Sequence, residues 1–315
     1  MGEVVVTGAS GLLGGAVLRT LRKRAIDATG WSRHVACTAD GLPLHTVDIT
    51  RPQAAHAIEQ TAPRLVVHCA ALTDVDACER DPDAAWALNA AAPGRLAAAA
   101  AACGARFIHI STDAVYDGQA AAAHAETETP APANAYARSK LAGEELVLTT
   151  YPAATVVRTT MHGWTAQGRR SFSESILRTL LAGQEARLFT DVTFSALDVE
   201  TLADLLLDVA ATDAPGILNV GAADAVTKEA FGRQLATAFA VNSTLISSIR
   251  LADLDLPAPR PRNCAMSVDR LASLLRSSPP TVADGITRLH AAWRSGSVAR
   301  MKGLPDDVQL AEVVR

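Results

Sequence analysis

A doubly wound parallel α/β sheet followed by a smaller, mixed α/β C-terminal lobe is what this sequence predicts, and two observations carry it. Short apolar, β-branched runs alternate with longer stretches of helical periodicity through the first half of the chain, the pattern of parallel strands joined by crossover helices. The first run, residues 4–6, leads straight into Gly8-Ala9-Ser10-Gly11-Leu12-Leu13-Gly14, which places a strand, a glycine turn and a helix start in immediate succession. A length of 315 residues with 49% hydrophobic content suffices for one such domain and a smaller lobe.

Taken in order, the runs at 4–6, 65–69, 106–110 and 155–157 read as buried strands, with 25–30 and 44–47 weaker. Helical patterns lie between them at 12–24, 51–60, 83–103 and 134–149. The alanine-dense segment 97–102 is low in complexity, yet alanine is the best helix former, so it reads as a packed helix. Pro130-Ala131-Pro132 marks a loop, and Asn134 is placed to cap the next helix. Beyond 158 the pattern changes: 163–170 is a polar, glycine-containing loop, 202–211 a helix and 217–220 one more strand. The expected organisation is a dinucleotide-type domain over 1–158 with 192–222 returning to it. Residues 159–191 and 223–305 then form the substrate lobe, and 306–315 a mobile tail or an extra helix.

Composition excludes several classes. A formal charge of −4 offers no basic surplus for nucleic acid. No apolar run approaches the length of a membrane span, and the N-terminus lacks a basic leader. The eight histidines show no ligand spacing, so no metal is expected. The five cysteines are scattered, and Cys69 and Cys103 sit in apolar context as expected buried free thiols; a reducing, cytoplasmic setting fits.

Two motifs carry chemistry. In the glycine turn, Gly8 permits the sharp bend, Gly11 lets the backbone approach a pyrophosphate, and Gly14 allows close helix–strand packing. The helix start behind it offers unpaired N–H groups to an anion. Further on, Tyr136-Ala137-Arg138-Ser139-Lys140 puts a phenol and an ammonium one helical turn apart on one face. An ammonium beside a phenol favours the phenolate, so the spacing predicts a Tyr136 pKa lowered toward neutrality. Such a tyrosine can exchange a proton with a carbonyl oxygen. Thr112 ends a strand at the ligand-facing edge of the sheet, where its hydroxyl can polarise the same carbonyl or simply close a turn.

With these residues in place, the chain resembles an extended short-chain dehydrogenase/reductase, and most closely the dTDP-4-dehydrorhamnose reductase family. The matching stretches are 7–14, 47–50, 68–76, 88–90, 110–118, 136–143 and 260–263, in order along the chain. The resemblance implies NAD(P)H-dependent reduction of a keto group, at C4, on a nucleotide-linked deoxysugar, with Thr112, Tyr136 and Lys140 catalytic. It implies cofactor contacts at Gly8, Ser10, Gly11, Leu12, Leu13, Gly14, Ser32, Arg33, Asp48, Ile49, Ala70 and Ala71, joined by Tyr136 and Lys140. Substrate contacts are implied at Thr73, Val75, Met161 and Arg260, and Asn89 is expected to support the active-site strands. Asp48 reads equally as a turn aspartate. Homodimers are common in that family.

Cofactor choice turns on the end of the second strand. No acid occurs between Gly30 and Ala39, while Ser32 and Arg33 stand where a 2′-phosphate would be met, so NADP(H) is expected ahead of NAD(H). Related sugar-nucleotide dehydratases carry Thr-Asp-Glu where this chain has Thr112-Asp113-Ala114, so the elimination base is missing. Two departures lie on the substrate side: Met161 stands where that family has a tryptophan, with Trp164 three residues later, and 191–197 lacks the usual glycine and proline. Arg260 and Arg262 suit a diphosphate or a solvated loop. His162 reads as structural ahead of a hydroxyl ligand. The alternatives to a reductase are a sugar-nucleotide epimerase and a non-catalytic NADP-binding regulatory subunit.

Overall fold

In the computed structural model, described for residues 3–34, 36–38, 41–166, 170–305 and 308–314, seven parallel strands form the central sheet. Their spatial order is Gly216–Val220, Thr155–Thr159, Arg106–Ile110, Leu65–His68, Val4–Thr7, Ala28–Ser32 and Leu44–Thr46. Every strand pair is parallel. The chain leaves Val4–Thr7 toward one edge of the sheet and later returns to pair Leu65–His68 on its other side. That reversal opens a crevice at the carboxyl ends of the strands.

Alternation along each strand divides the core. Val4, Val6, Val67 and Ile108 pack on one face with the helices Leu12–Lys23 and Val199–Ala210. Val5, Val66, Phe107 and Val156 pack on the other with Ile58, Leu96 and Val147. Strands apolar on both faces are what a sheet covered by helices on each side requires. Gly216–Val220 pairs with Thr155–Thr159, so this late segment joins the central sheet.

Several boundaries differ from the sequence expectation. The second strand runs Ala28–Ser32 instead of 25–30, because Ala25 adopts φ 52° and Ile26 N–H bonds back to the Leu21 carbonyl, closing the preceding helix. The helical stretch expected at 83–103 splits into Pro82–Trp86, a π-helical turn at Ala87–Ala91, and Ala92–Cys103. Cys78 and Cys264 are the buried thiols, whereas Cys69 and Cys103 are only partly covered. Cys69 follows a strand end that faces the crevice, and Cys103 closes the last turn of its helix. All five cysteines are free. Of the expected loop at 163–170, residues 167–169 lie outside the described residues. At the C-terminus, Leu310–Val313 forms a short helix, and Arg170 Nε donates to the Val314 carbonyl at 2.9 Å; Asp306, Asp307 and Arg315 lie outside the described residues.

Outside the central sheet the chain forms short pairings, Thr193–Phe194 between Val226–Thr227 and Asn263–Cys264, and Ile246–Ile249 beside Ala186–Phe189. Among the described residues no helix is long and apolar enough to cross a membrane.

Candidate active site

A cavity of about 850 Å³ lies over the carboxyl ends of the strands. Its lining includes the glycine-turn residues Gly8, Ser10, Gly11, Leu12, Leu13 and Gly14, and the strand-end residues Ser32, Arg33, Asp48, Ile49, Ala70 and Ala71. Thr73, Val75, Thr112, Tyr136, Lys140, Met161 and Arg260 complete the set. The residues expected from the sequence at the cofactor, the reacting carbonyl and the sugar, Arg262 excepted, therefore border one cavity. A second cavity of about 550 Å³ borders Val75, Thr112, Tyr136, Thr160 and Arg260 as well, so the Thr112–Tyr136 wall stands where the two meet.

The glycine turn fits a pyrophosphate on steric grounds. Gly8 sits at φ +65°, and a Cβ there would lie 2.7 Å from Ala70 N. A Cβ on Gly14 would lie 2.3 Å from the Gly8 carbonyl oxygen, a backbone atom that cannot move aside. The helix Leu12–Lys23 starts at Gly11 with no side-chain cap and no acid in its first turn, leaving its positive end free for an anion. At the next strand end, Ser32 Oγ donates to Ser10 Oγ at 3.0 Å, tying two of the lining hydroxyls together. Arg33 is exposed beside them, its Nε donating to His34 Nε2 at 2.6 Å. Asp48 uses one carboxylate oxygen in its own turn, accepting from Thr50 N at 3.0 Å and Thr50 Oγ1 at 2.6 Å. Those bonds, above all, lower its pKa.

Asn134 caps the helix Ala135–Thr150, its side-chain oxygen accepting from Ala137 N at 2.9 Å; this fixes the first turn, where Tyr136 sits. The π-helical turn aims Asn89 between two elements: it exchanges hydrogen bonds with the Leu72 backbone at 2.8 and 3.0 Å and donates to Ser139 Oγ at 3.0 Å. Asn89 thus pins the loop after Leu65–His68 to the Tyr136 helix. π-Helical turns are frequent at functional sites for this kind of displacement.

The electrostatics reverse one expectation. Enclosure pushes the Tyr136 phenol up to about 12, with Thr112 hydrogen bonding pulling the other way and Asp113 and Cys78 adding to the rise. Lys140 does not enter that balance because its ammonium points elsewhere: Nζ donates to the Ile110 carbonyl at 2.6 Å and lies 3.4 Å from His109 Nε2. Burial lowers Lys140 to about 8, opposed by Glu144 and Cys69. Beneath it, His109 stacks on His68 at 5.3 Å, and His68 Nδ1 shares a 2.8 Å hydrogen bond with Thr7 Oγ1. Burial first, and then Lys140, depress both imidazoles. Thr112 Oγ1 accepts from Ala114 N at 3.2 Å and donates to the Asp113 carboxylate at 3.1 Å. Its hydroxyl therefore serves the turn and faces the cavity at once.

On the substrate side, Arg260 is half-buried and held by Asp76 at 2.7 Å and by the Ala258 carbonyl at 2.7 Å. Arg262 is exposed, lies 3.8 Å from Asp191 and borders neither of these two cavities. Trp164 leaves the site altogether: it is buried, its Nε1 donating to the Leu289 carbonyl at 2.9 Å and its ring edge-on to Phe239. His162 is fully buried against Phe231, a packing residue. Residues that sequence reasoning passed over are Lys228, Phe194 and Arg187 in the second cavity, and Asp76 as the clamp on Arg260. Lys228 carried no signal, because a lysine at a helix start reads as solvated. Among the described residues, no group of three or more His, Cys, Asp or Glu is placed to hold a metal.

The chain is 38% identical over 294 residues, 91% of its length and 97% of that protein's, to the probable low-salt glycan biosynthesis reductase Agl14 of Haloferax volcanii. It is 34% identical over 272 residues, 84% of each chain, to the dTDP-4-dehydrorhamnose reductase of Mycobacterium tuberculosis. In fold it is similar to the dTDP-4-dehydrorhamnose reductase of Bacillus anthracis solved in complex with NADP. That superposition has a TM-score of 0.83 at 24% identity and covers 92% of this chain and 99% of that one. The family described as the RmlD substrate binding domain matches residues 2–294. A match of that extent, together with relatives above 30% identity over most of their length, makes this chain a member of the RmlD substrate-binding domain family.

Proposed function

We propose that the chain is an NADPH-dependent reductase of a keto group, at C4, on a nucleotide-activated deoxysugar. The carrying observation is that Thr112, Tyr136 and Lys140 border the same cavity as the glycine turn, with a second cavity opening from the Thr112–Tyr136 wall. Two relatives named for reduction of 4-keto sugar nucleotides support it, the M. tuberculosis protein and a probable 4-ketoreductase of Streptomyces antibioticus that is 32% identical over 84% of this chain and 87% of its own.

In this reading the glycine turn and helix start take the pyrophosphate, Ser32 and Arg33 the 2′-phosphate, and Asp48 and Ile49 the adenine edge. Ala70 and Ala71 let the cofactor pack close, and Lys140 reaches the nicotinamide ribose. Bound NADPH supplies a hydride to the carbonyl carbon. Tyr136 gives its proton to the carbonyl oxygen, and Thr112 turns its hydroxyl from Asp113 to polarise that oxygen. Thr73, Val75, Met161 and Arg260 border the sugar. With Ala114 in place of an acid, reduction proceeds without water elimination.

A pKa of about 12 suits a proton donor: Tyr136 stays protonated at every physiological pH. The titrating group is Lys140, whose charge is present below about pH 8 and lost above it. The kcat/KM for reduction is therefore expected to hold from about pH 6 to 7.5 and fall through about pH 8; a profile rising through that range would contradict these roles. For the cofactor, Arg33→Ala is expected to raise the NADPH Michaelis constant roughly tenfold or more, the loss of a hydrogen bond to a charged group. NADH should be nearly unaffected, and a wild-type enzyme that prefers NADH would remove Arg33 from this role. The overall test is oxidation of NADPH with 4-keto nucleotide sugars. Net oxidation with equivalent alcohol product supports a reductase, whereas interconversion without net oxidation and with retained nucleotide points to an epimerase.

A further inference from the structure

The second cavity is lined by two opposite charges that the reduction scheme does not use, the buried Asp113 and the half-buried Lys228. Lys228 opens the helix Lys228–Ala238, fixed there by the Thr227 cap and by its own N–H donating to the Val192 carbonyl at 2.9 Å. Its ammonium lies 3.3 Å from the Phe194 ring centroid and 4.7 Å from that of Phe172. Among the described residues it has no hydrogen-bond or ion-pair partner. The first turn of a helix is the wrong end for a cation, where the dipole opposes positive charge, so the position does not serve the helix. Asp113, 8% exposed, lines the same cavity and is near enough for mutual Coulombic attraction without a direct ion pair; its carboxylate is hydrogen-bonded by Thr112 and Thr160.

An ammonium and a carboxylate thus line one cavity, walled also by Phe189, Phe194, Ile249 and Leu254. Because the charges cancel, the pair does not select an anion. It suits a group that accepts and donates at once, which is a hydroxyl. Asp113 immediately follows Thr112, so the hydroxyl it meets is attached near the carbonyl that Thr112 touches. We propose that Asp113 and Lys228 form a subsite that reads a sugar hydroxyl on the carbon next to the reacting carbonyl, selecting 3-hydroxy over 3-deoxy 4-keto sugars. The orientation of the sugar in this inference rests on the reductase reading above.

The test compares kcat/KM for a 4-keto-6-deoxy sugar nucleotide and its 3-deoxy counterpart. Wild type is expected to favour the hydroxylated sugar by about 100-fold or more, since a dry site built for a hydroxyl rejects the analogue that leaves its groups unpaired. Lys228→Met keeps an unbranched side chain of similar length and removes the donors, and the ratio should collapse to about fivefold or less. Asp113→Asn, which keeps the shape, should reduce the ratio at least about tenfold. An unchanged NADPH dissociation constant in each variant shows that the fold is intact. A preference retained in both variants, or no preference in wild type, overturns the subsite. Calorimetric binding of dTDP-glucose against dTDP-3-deoxyglucose keeps the two readings apart. If wild type oxidises no NADPH, the reductase reading fails, while the difference in affinity and its loss in Lys228→Met still decide the subsite.

Discussion

Tyr136→Phe is expected to lower kcat/KM for keto-sugar reduction by about 10²–10⁴-fold, the range for loss of a positioned general acid, while leaving NADPH affinity within about twofold. The phenol is enclosed, its pKa is pushed up to about 12, and it shares the cavity wall with Thr112. Phenylalanine keeps the ring and removes only the proton. No other acid takes over easily: Lys140 is committed to the Ile110 carbonyl, and Asp113, although raised to about 6 by burial, is a carboxylate at neutral pH. Stopped-flow turnover beside fluorescence titration of NADPH separates the two effects. Near-normal turnover in the variant would remove Tyr136 from the chemistry.

Arg158→Met is expected to cost about 3–5 kcal/mol of unfolding free energy, the loss seen when one partner of a buried ion pair is removed. Arg158 and Glu144 are each 1% exposed and joined at 2.6 Å, with Arg158 Nε a further 3.0 Å from the other carboxylate oxygen. The guanidinium also lies 4.8 Å over the Tyr116 ring, and Ser111 donates to Glu144. The pair fastens the Tyr136 helix to the strand Thr155–Thr159 beneath it. Without the arginine, the buried Glu144 carboxylate keeps only the Ser111 hydroxyl. Urea unfolding measures the change. A loss under about 1 kcal/mol would mean that the site relaxes or hydrates, as exposed pairs do.

How much of this could be read from the sequence depended on range. Gly8, Gly11 and Gly14, and the capped turn at Asn134 carrying Tyr136, are set by neighbours within a few residues, so spacing alone placed them on the right elements. The parallel sheet was legible because Val4, Val5 and Val6 are all apolar, the mark of a strand covered on both faces. Spacing failed where a side chain chooses between distant partners. Tyr136 and Lys140 do share a helix face, but Lys140 turns down to Ile110 and His109, contributed by a strand some thirty positions earlier, so the expected lowering of the phenol's pKa is absent. The Lys228 subsite was invisible for the same reason: Phe194 and Asp113 reach it from segments far apart in the chain. Trp164 looked like a displaced substrate-side aromatic, yet its indole N–H finds the Leu289 carbonyl in the core.

The proposed mechanism stands on net reduction of a 4-keto nucleotide sugar with Tyr136 as proton donor. The most direct measurement follows NADPH oxidation by wild type and Tyr136→Phe across a panel of such sugars, with the product identified. The expected result is one mole of 4-hydroxy sugar per mole of NADPH for at least one panel member, and a rate lower by about 10²-fold or more in the variant. Equal rates in the two proteins, or sugar interconverted with no NADPH consumed, would contradict it.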